Sequence, residues 1–250
     1  MNRPESAAHA VARALRYLHN GVVVPNYELL LRQCYTRVLK TGHFVFDVGS
    51  HNGLHFVHFV ELVGSTGRVI GFEPIPSLAA ALRKQFRGQP NAEIRSLALA
   101  DASGRREFFY LANEPEQSGF KERVNALHRG SKISVETDTL DRQASGLSRL
   151  DYIKIDVEGA EIDCLRGGAT TIGLHRPLIS VEYGKPTYSL FGNSPMSLYE
   201  WTTVHSYVPS DLFGNIILTA EEWVAICDQS YWDYFLVPSE KASWWQGLFE

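Results

Sequence analysis

The chain has 250 residues, 44% of them hydrophobic and 21% charged, with a formal net charge of -4. That length can bury one good α/β core, and the weak negative balance gives no basic footprint for nucleic acid and no polybasic anchor for anionic lipid. Cys34, Cys164 and Cys227 stand far apart without a C-x-x-C pair, which argues against a disulfide framework and a cysteine-built zinc site. No run approaches the roughly 20 apolar residues of a membrane span. The opening MNRPESAAHAVARAL lacks the apolar core of a signal peptide, so a cytoplasmic location is expected.

Apolar residues at Val11, Ala14, Leu15 and Leu18 predict a helix over residues 7–18, with a turn at Asn20-Gly21. Leu30, Leu31, Cys34 and Val38 predict a second helix over 27–39, ended by Thr41-Gly42. Both precede the first strong strand and read as a cap. From residue 43 short apolar runs alternate with helical stretches. Strands are predicted at 44–48, 68–72, 93–97, 152–157 and 178–182, and helices at 54–63, 77–86 and 160–166. Residues 107–111 are a candidate extra strand. Strands apolar on both faces that alternate with helices indicate a parallel sheet covered on both sides. Such a sheet binds ligands at the carboxyl ends of its strands.

Residues 112–150 are less regular. They hold Ser118-Gly119-Phe120, the basic residues Lys121, Arg123 and Arg129, and a candidate strand over 133–140. A mobile loop over the site and an ordinary surface insertion are both open readings. From Met196 onward aromatics are frequent, among them Trp201, Tyr207, Trp223, Trp232 and Tyr234, and most are expected to pack in the core or at a sheet edge.

The segment FVFDVGSHNG, residues 44–53, is an apolar strand running into a glycine-bearing turn that opens a helix. Gly49 can take backbone angles closed to other residues, and the helix start after Gly53 offers free N–H groups. The next predicted strand ends at Glu73, about 20 residues further on, where a carboxylate can accept both hydroxyls of an unphosphorylated ribose. The third glycine of a dinucleotide loop is absent. Asp47 would repel a pyrophosphate and welcome the ammonium group of an aminoacyl sulfonium. The residues therefore favour S-adenosylmethionine over NAD.

With these residues read, the chain resembles the FkbM family of S-adenosylmethionine-dependent methyltransferases. The resemblance rests on FVFDVGSHNG, VIGFEP, ALADASG, Thr139-Leu140-Asp141 and above all KIDVEGAE at 154–161, with Trp232-Asp233-Tyr234-Phe235 and Pro238 fitting a closing strand. It covers roughly residues 40–237 and implies an α/β fold, a Rossmann-like class I methyltransferase. Its sheet would have seven strands, mainly parallel with the last antiparallel, and helices on both faces. The expected organisation is an N-terminal helical cap over 1–40 and a single globular methyltransferase unit over 41–250. By position the resemblance sets Asp47, Gly49, Ser50, Asn52 and Gly53 around the methionine part. Glu73 and Pro74 fall at the ribose, and Ala98 and Leu99 near the adenine. It implies O-methylation of a hydroxyl on a glycan, sugar or secondary metabolite. Many relatives carry a His shortly after the acid of the fifth strand; here the sequence is Glu182-Tyr183-Gly184-Lys185.

Methyl transfer to a hydroxyl needs the oxygen aligned and its proton removed. Asp156 and Glu182 end the two central strands and are the candidate catalytic acids. Lys154 shares a strand face with Asp156 and can orient it or stabilise a forming alkoxide. A second route is Mg²⁺ held by Asp156 and Glu182. His51, His55 and His58 are a third, although their spacing fits no metal motif. Glu161 reads as surface charge. An NAD-dependent oxidoreductase and a non-catalytic binding scaffold are the alternatives. A homo-oligomer through the N-terminal helices is also open.

Overall fold

The computed structural model describes residues 6–21, 23–115, 118–121 and 130–250. Arg123 and Arg129 lie outside the described residues. The chain divides into two compact units, Leu39–Ile179 and the residues up to Val38 together with Ser180–Glu250.

With α1 and α2 denoting the two N-terminal helices Ala7–Asn20 and Tyr27–Val38, which belong to the other unit, the first unit opens with β1 (Phe44–Val48), α3 (Phe56–Val63), β2 (Arg68–Phe72), α4 (Pro76–Gln85) and β3 (Ala92–Arg95). It continues through β4 (Ala98–Leu99), β5 (Gly104–Tyr110), β6 (Ser131–Asp138), α5 (Leu140–Gln143), β7 (Tyr152–Ile155), α6 (Glu161–Arg166) and α7 (Ala169–His175). Val45, Phe46 and Val48 of β1 are buried, as are Val69, Ile70 and Phe72 of β2. Apolar residues at successive positions fill both faces of these parallel strands. In α3 the buried residues are Phe56, Phe59, Val60 and Val63, one stripe at helical spacing.

The other unit contains α1 and α2 and then α8 (Lys185–Tyr188), α9 (Pro195–Val204), β9 (Tyr207–Ser210), α10 (Ala220–Ile226), β10 (Asp233–Pro238) and α11 (Ala242–Gln246). Ser6 caps α1 by accepting the N–H of His9. Trp201, Tyr207, Trp223, Tyr231, Tyr234 and Phe235 are buried, whereas Trp232 is exposed. The aromatic segment is thus mostly core.

Counting β8 (Leu178–Glu182), seven strands form one sheet in the order β3-β2-β1-β7-β8-β10-β9. β1 runs parallel to both β2 and β7, and β2 parallel to β3, whereas β9 and β10 are antiparallel. This is the mainly parallel α/β sheet expected. The strand order reverses between β1 and β7, which makes that pair the switch point where such sheets bind ligands.

A second sheet, β4-β6-β5, was only half visible in the sequence. Residues 107–111 and 133–140 were candidate strands; the structure pairs them antiparallel as β5 and β6, with β4 parallel to β6. Alternation explains the ladder. Phe108 and Val135 are buried with Ile75, while Glu107–Lys132 and Arg105–Glu136 form ion pairs on exposed positions. The described part of 112–150 is therefore tied to a sheet and is not one long irregular insertion.

Candidate functional site

The carboxyl ends of β1, β2 and β7 present residues 47–53, 73–75 and 156–161, all within Leu39–Ile179. Asp47 lies opposite Lys154 in the register of β1 and β7, and Val48 opposite Ile155.

The turn after β1 is held from below. The N–H groups of Gly49 and Ser50 both donate to the carbonyl of Phe72, at 3.0 and 3.1 Å. Gly49 has φ +82°, and a Cβ placed there would lie 1.8 Å from the main-chain oxygen of Asp156. The turns after β1 and β7 therefore touch through backbone, and a side chain at 49 is excluded by space as well as by angle. Further round, the Ser50 hydroxyl donates to the Asp47 carbonyl at 2.9 Å, and the Gly53 N–H donates to the Ser50 carbonyl at 2.7 Å. The Asn52 side-chain oxygen accepts the Leu54 N–H at 3.1 Å, which steadies the entry to α3.

Glu73 locks this turn to the next one. One carboxylate oxygen accepts the His51 N–H at 2.8 Å, and the other accepts the Ile75 N–H at 2.7 Å. Read from sequence as an acid for a ribose, it is also a buried clamp between two loops. Each oxygen keeps a second lone pair for a ligand. Burial pushes its pKa up to about 7, against the lowering effect of the Ile75 and His51 N–H groups.

Asp47 is 1% exposed, and neither of its carboxylate oxygens has a hydrogen-bond partner among the described residues. Burial raises its pKa, and the charge of Lys154 offsets part of the rise. Lys154 is itself buried, and its Nζ donates to Asp156 Oδ2 at 2.9 Å. The Asp156 side chain is 35% exposed. The structure thus brings Asp47, Lys154 and Asp156 together and leaves one acid buried without a hydrogen bond and one partly open.

One expectation is overturned. Glu161 is not surface charge: it is 1% exposed at the start of α6. Its Oε1 accepts the Gly159 N–H at 2.8 Å and, more weakly, the Val157 N–H at 3.4 Å. Its Oε2 is buried without a hydrogen-bond partner among the described residues. Burial pushes this carboxyl up to about 7, with the Gly159 N–H opposing. The available signal was an acid two residues after a glycine, able to fold back on the turn it follows.

The other predicted residues are placed as follows. Pro74 is half-buried beside Glu73. Ala98 and Leu99 are buried in β4, hydrogen-bonded to β6 in the smaller sheet. Glu182 ends β8, half-buried, in the other unit. His55 is buried and stacked on Phe59, and His58 lies 3.5 Å from Glu61. His51 joins the site through its N–H and its positive φ of 47°. Among the described residues no group of three or more His, Cys, Asp or Glu could hold a metal ion, and no helix is long and apolar enough to cross a membrane.

Glu73 and Glu161, both raised to about 7, set a pH dependence. Glu73 and Glu161 hold their protons to higher pH in the folded state than their ordinary value of 4.5. Their stabilising contribution is complete below about pH 4.5 and is lost as pH rises through about 7, on the order of 3 kcal/mol each. The cofactor-free protein is expected to resist urea better near about pH 5 than near about pH 8. Glu73→Gln should flatten that slope. A urea midpoint that climbs steadily over this range would refute the assignment.

The model of the methyltransferase FkbM domain matches residues 47–222. The chain is 30% identical over 189 residues to 2-O-methyltransferase NoeI of Sinorhizobium fredii, covering 70% of this chain and 77% of that protein. Among solved structures it is similar to methyltransferase FkbM from Methylobacillus flagellatus KT, with a TM-score of 0.49 and 12% identity. That match covers 78% of this chain but 43% of the other, so the chain spans less than half of its length. The O-methyltransferase from Bacillus cereus in complex with SAH gives a TM-score of 0.45 at 13% identity, over 93% and 90% of the two chains.

Proposed function

Since the chain belongs to the methyltransferase FkbM family, and is accordingly an S-adenosylmethionine-dependent methyltransferase, we propose that it methylates a hydroxyl of a glycan, sugar or secondary metabolite. The observation that carries this reading is the Lys154–Asp156 pair, a partly open carboxylate oriented by a buried ammonium at the switch point. The 2-O-methyltransferase relative supports oxygen as the acceptor atom.

The residues present fit the cofactor. The two unbonded, buried oxygens of Asp47 suit an ammonium group, and the Cβ-free Gly49 leaves the turn open to close approach. In this reading Ser50, Asn52 and Gly53 complete the methionine side. Glu73 and Pro74 serve the ribose, and Ala98 and Leu99 the adenine. When bound, the cofactor supplies a methyl group activated on a sulfonium. Asp156 then accepts the proton of the acceptor hydroxyl, while Lys154 holds that carboxylate in place and offsets charge on the oxygen. Lys154 already provides a cation at Asp156, and the described residues supply no donor cluster for a metal.

Calorimetry with S-adenosylhomocysteine and with NAD tests the cofactor, and Asp156→Asn tests the base. Binding of S-adenosylhomocysteine alone is expected. Asp156→Asn should retain that binding and lose turnover on whichever member of a sugar and polyketide library the wild type methylates, by about 100-fold or more. Near-normal turnover of this variant would remove Asp156 from the mechanism. Heat with NAD alone would favour the oxidoreductase alternative, and binding without any turnover the scaffold.

A further inference from the structure

The proposed reaction makes no use of Glu161, although it is among the most deeply buried acids of Leu39–Ile179. The segment that it closes is left-handed twice over, with φ +58° at Glu158 and +107° at Gly159. A left-handed non-glycine residue costs about 1–2 kcal/mol, so a contact must hold it there. Glu161 Oε1 supplies that contact by accepting the Gly159 N–H at 2.8 Å. The same segment begins at Asp156, whose N–H donates to the Val48 carbonyl at 3.0 Å and whose own carbonyl lies against Gly49. On its far side Glu158 is packed on Gly119, where an added Cβ would lie 3.4 Å from that of Glu158.

We propose that Glu161 is a positioning residue of the cofactor site: its carboxylate fixes the left-handed turn at Glu158 and Gly159, and through the Asp156 carbonyl sets the position of the Gly49 turn. The contact order is continuous and entirely within one unit. Glu161 holds Gly159, residues 156–159 form one short turn, and the Asp156 carbonyl bears on Gly49 with no side chain between. A shift of the 156–159 turn must therefore move either the Gly49 turn or the gap between them. Glu73 performs the matching task from β2, through the His51 N–H. The Gly49 turn is thereby held from both flanks by buried carboxylates that accept backbone N–H groups. The inference rests on the reading of that turn as the S-adenosylmethionine site.

The test compares Glu161→Gln, which keeps an oxygen for the Gly159 N–H, with Glu161→Ala, which has none. Both are titrated with S-adenosylhomocysteine, and amide hydrogen exchange is followed at Val157, Gly159, Gly49 and His51. Glu161→Ala should bind on the order of 100-fold more weakly than wild type while folded. Exchange should speed at Gly159 and, with it, at Gly49. Glu161→Gln should restore most of the affinity and the protection. A folded Glu161→Ala with wild-type affinity overturns the proposal, as does a glutamine variant no better than alanine. If Glu161→Ala does not fold, Glu161→Asp replaces it; its shorter carboxylate should reproduce the loss, and wild-type affinity there overturns the proposal equally. A wild type that binds no S-adenosylhomocysteine defeats the cofactor reading instead, and the exchange rates at Val157 and Gly159 still decide whether Glu161 holds the turn.

Discussion

Gly49→Ala is expected to abolish S-adenosylhomocysteine binding and to lower the unfolding free energy far more than Gly146→Ala. The two glycines have nearly the same φ, +82° and +81°. Alanine at either position meets the left-handed penalty of about 1–2 kcal/mol. They differ in space. Nothing described lies within 4 Å of a Cβ at Gly146, whereas a Cβ at Gly49 would be 1.8 Å from the Asp156 oxygen. That oxygen belongs to the backbone of the turn after β7 and cannot swing away like the end of a flexible side chain. The turns after β1 and β7 must part, against the bonds from Gly49 and Ser50 to Phe72 and from Asp156 to Val48. Overpacking of this kind adds about 1–3 kcal/mol and can exceed it. Urea unfolding of the two variants isolates the difference, and calorimetry shows whether the turn still binds. Equal losses at 49 and 146 would mean that the close approach carries no weight.

The same contrast explains what the sequence made legible. β1, β2 and β8 have the residue bounds predicted, because each is a five-residue run buried nearly throughout and flanked by turn residues. The glycine turn was readable because Gly49 follows such a run directly. The smaller sheet was harder. β4 has two residues, too few for any period, and the charged half of β5 masks its alternation with Phe108. The short helices α8 and α11, four and five residues long, also give no helical repeat to find.

Charge hid the site's construction for a different reason. Glutamate is rarely fully buried, so composition and spacing place Glu161 outside. Its burial follows from two N–H groups in a left-handed turn, which one-dimensional patterning cannot display. Glu73 is legible in sequence as an acid at a strand end, but its bonds to the His51 and Ile75 N–H groups are a three-dimensional fact. The sequence reads Asp47 as an acid at the end of the first strand, and it is the last residue but one of that strand before the turn. What the structure adds is that both of its oxygens lack a hydrogen-bond partner among the described residues, and this determines how the residue should respond to substitution.

Asp47→Asn is expected to stabilise the cofactor-free protein and to weaken S-adenosylhomocysteine binding, two effects of opposite sign from one change. In the free protein the carboxylate is 1% exposed with no hydrogen-bond partner among the described residues, while the buried Lys154, whose charge acts on it, donates to Asp156. Its raised pKa means that its stabilising contribution is complete below its ordinary value of 3.8 and is lost as pH rises through the folded-state value. Ionising this buried carboxyl therefore works against folding. An amide of the same shape carries a smaller desolvation cost, and Lys154 keeps its partner, so a gain on the order of 1–3 kcal/mol is expected in urea unfolding. In the complex the balance inverts. In the proposed complex the carboxylate would have the cofactor's ammonium to pair with, and a neutral amide would forfeit that attraction, which should weaken binding on the order of 100-fold. Loss of stability and of affinity together would instead make Asp47 an ordinary structural acid with an unrecognised partner. The opposite signs would identify it as a residue that the fold tolerates for the sake of its ligand, as expected of an acid kept buried and unbonded at the switch point of the sheet.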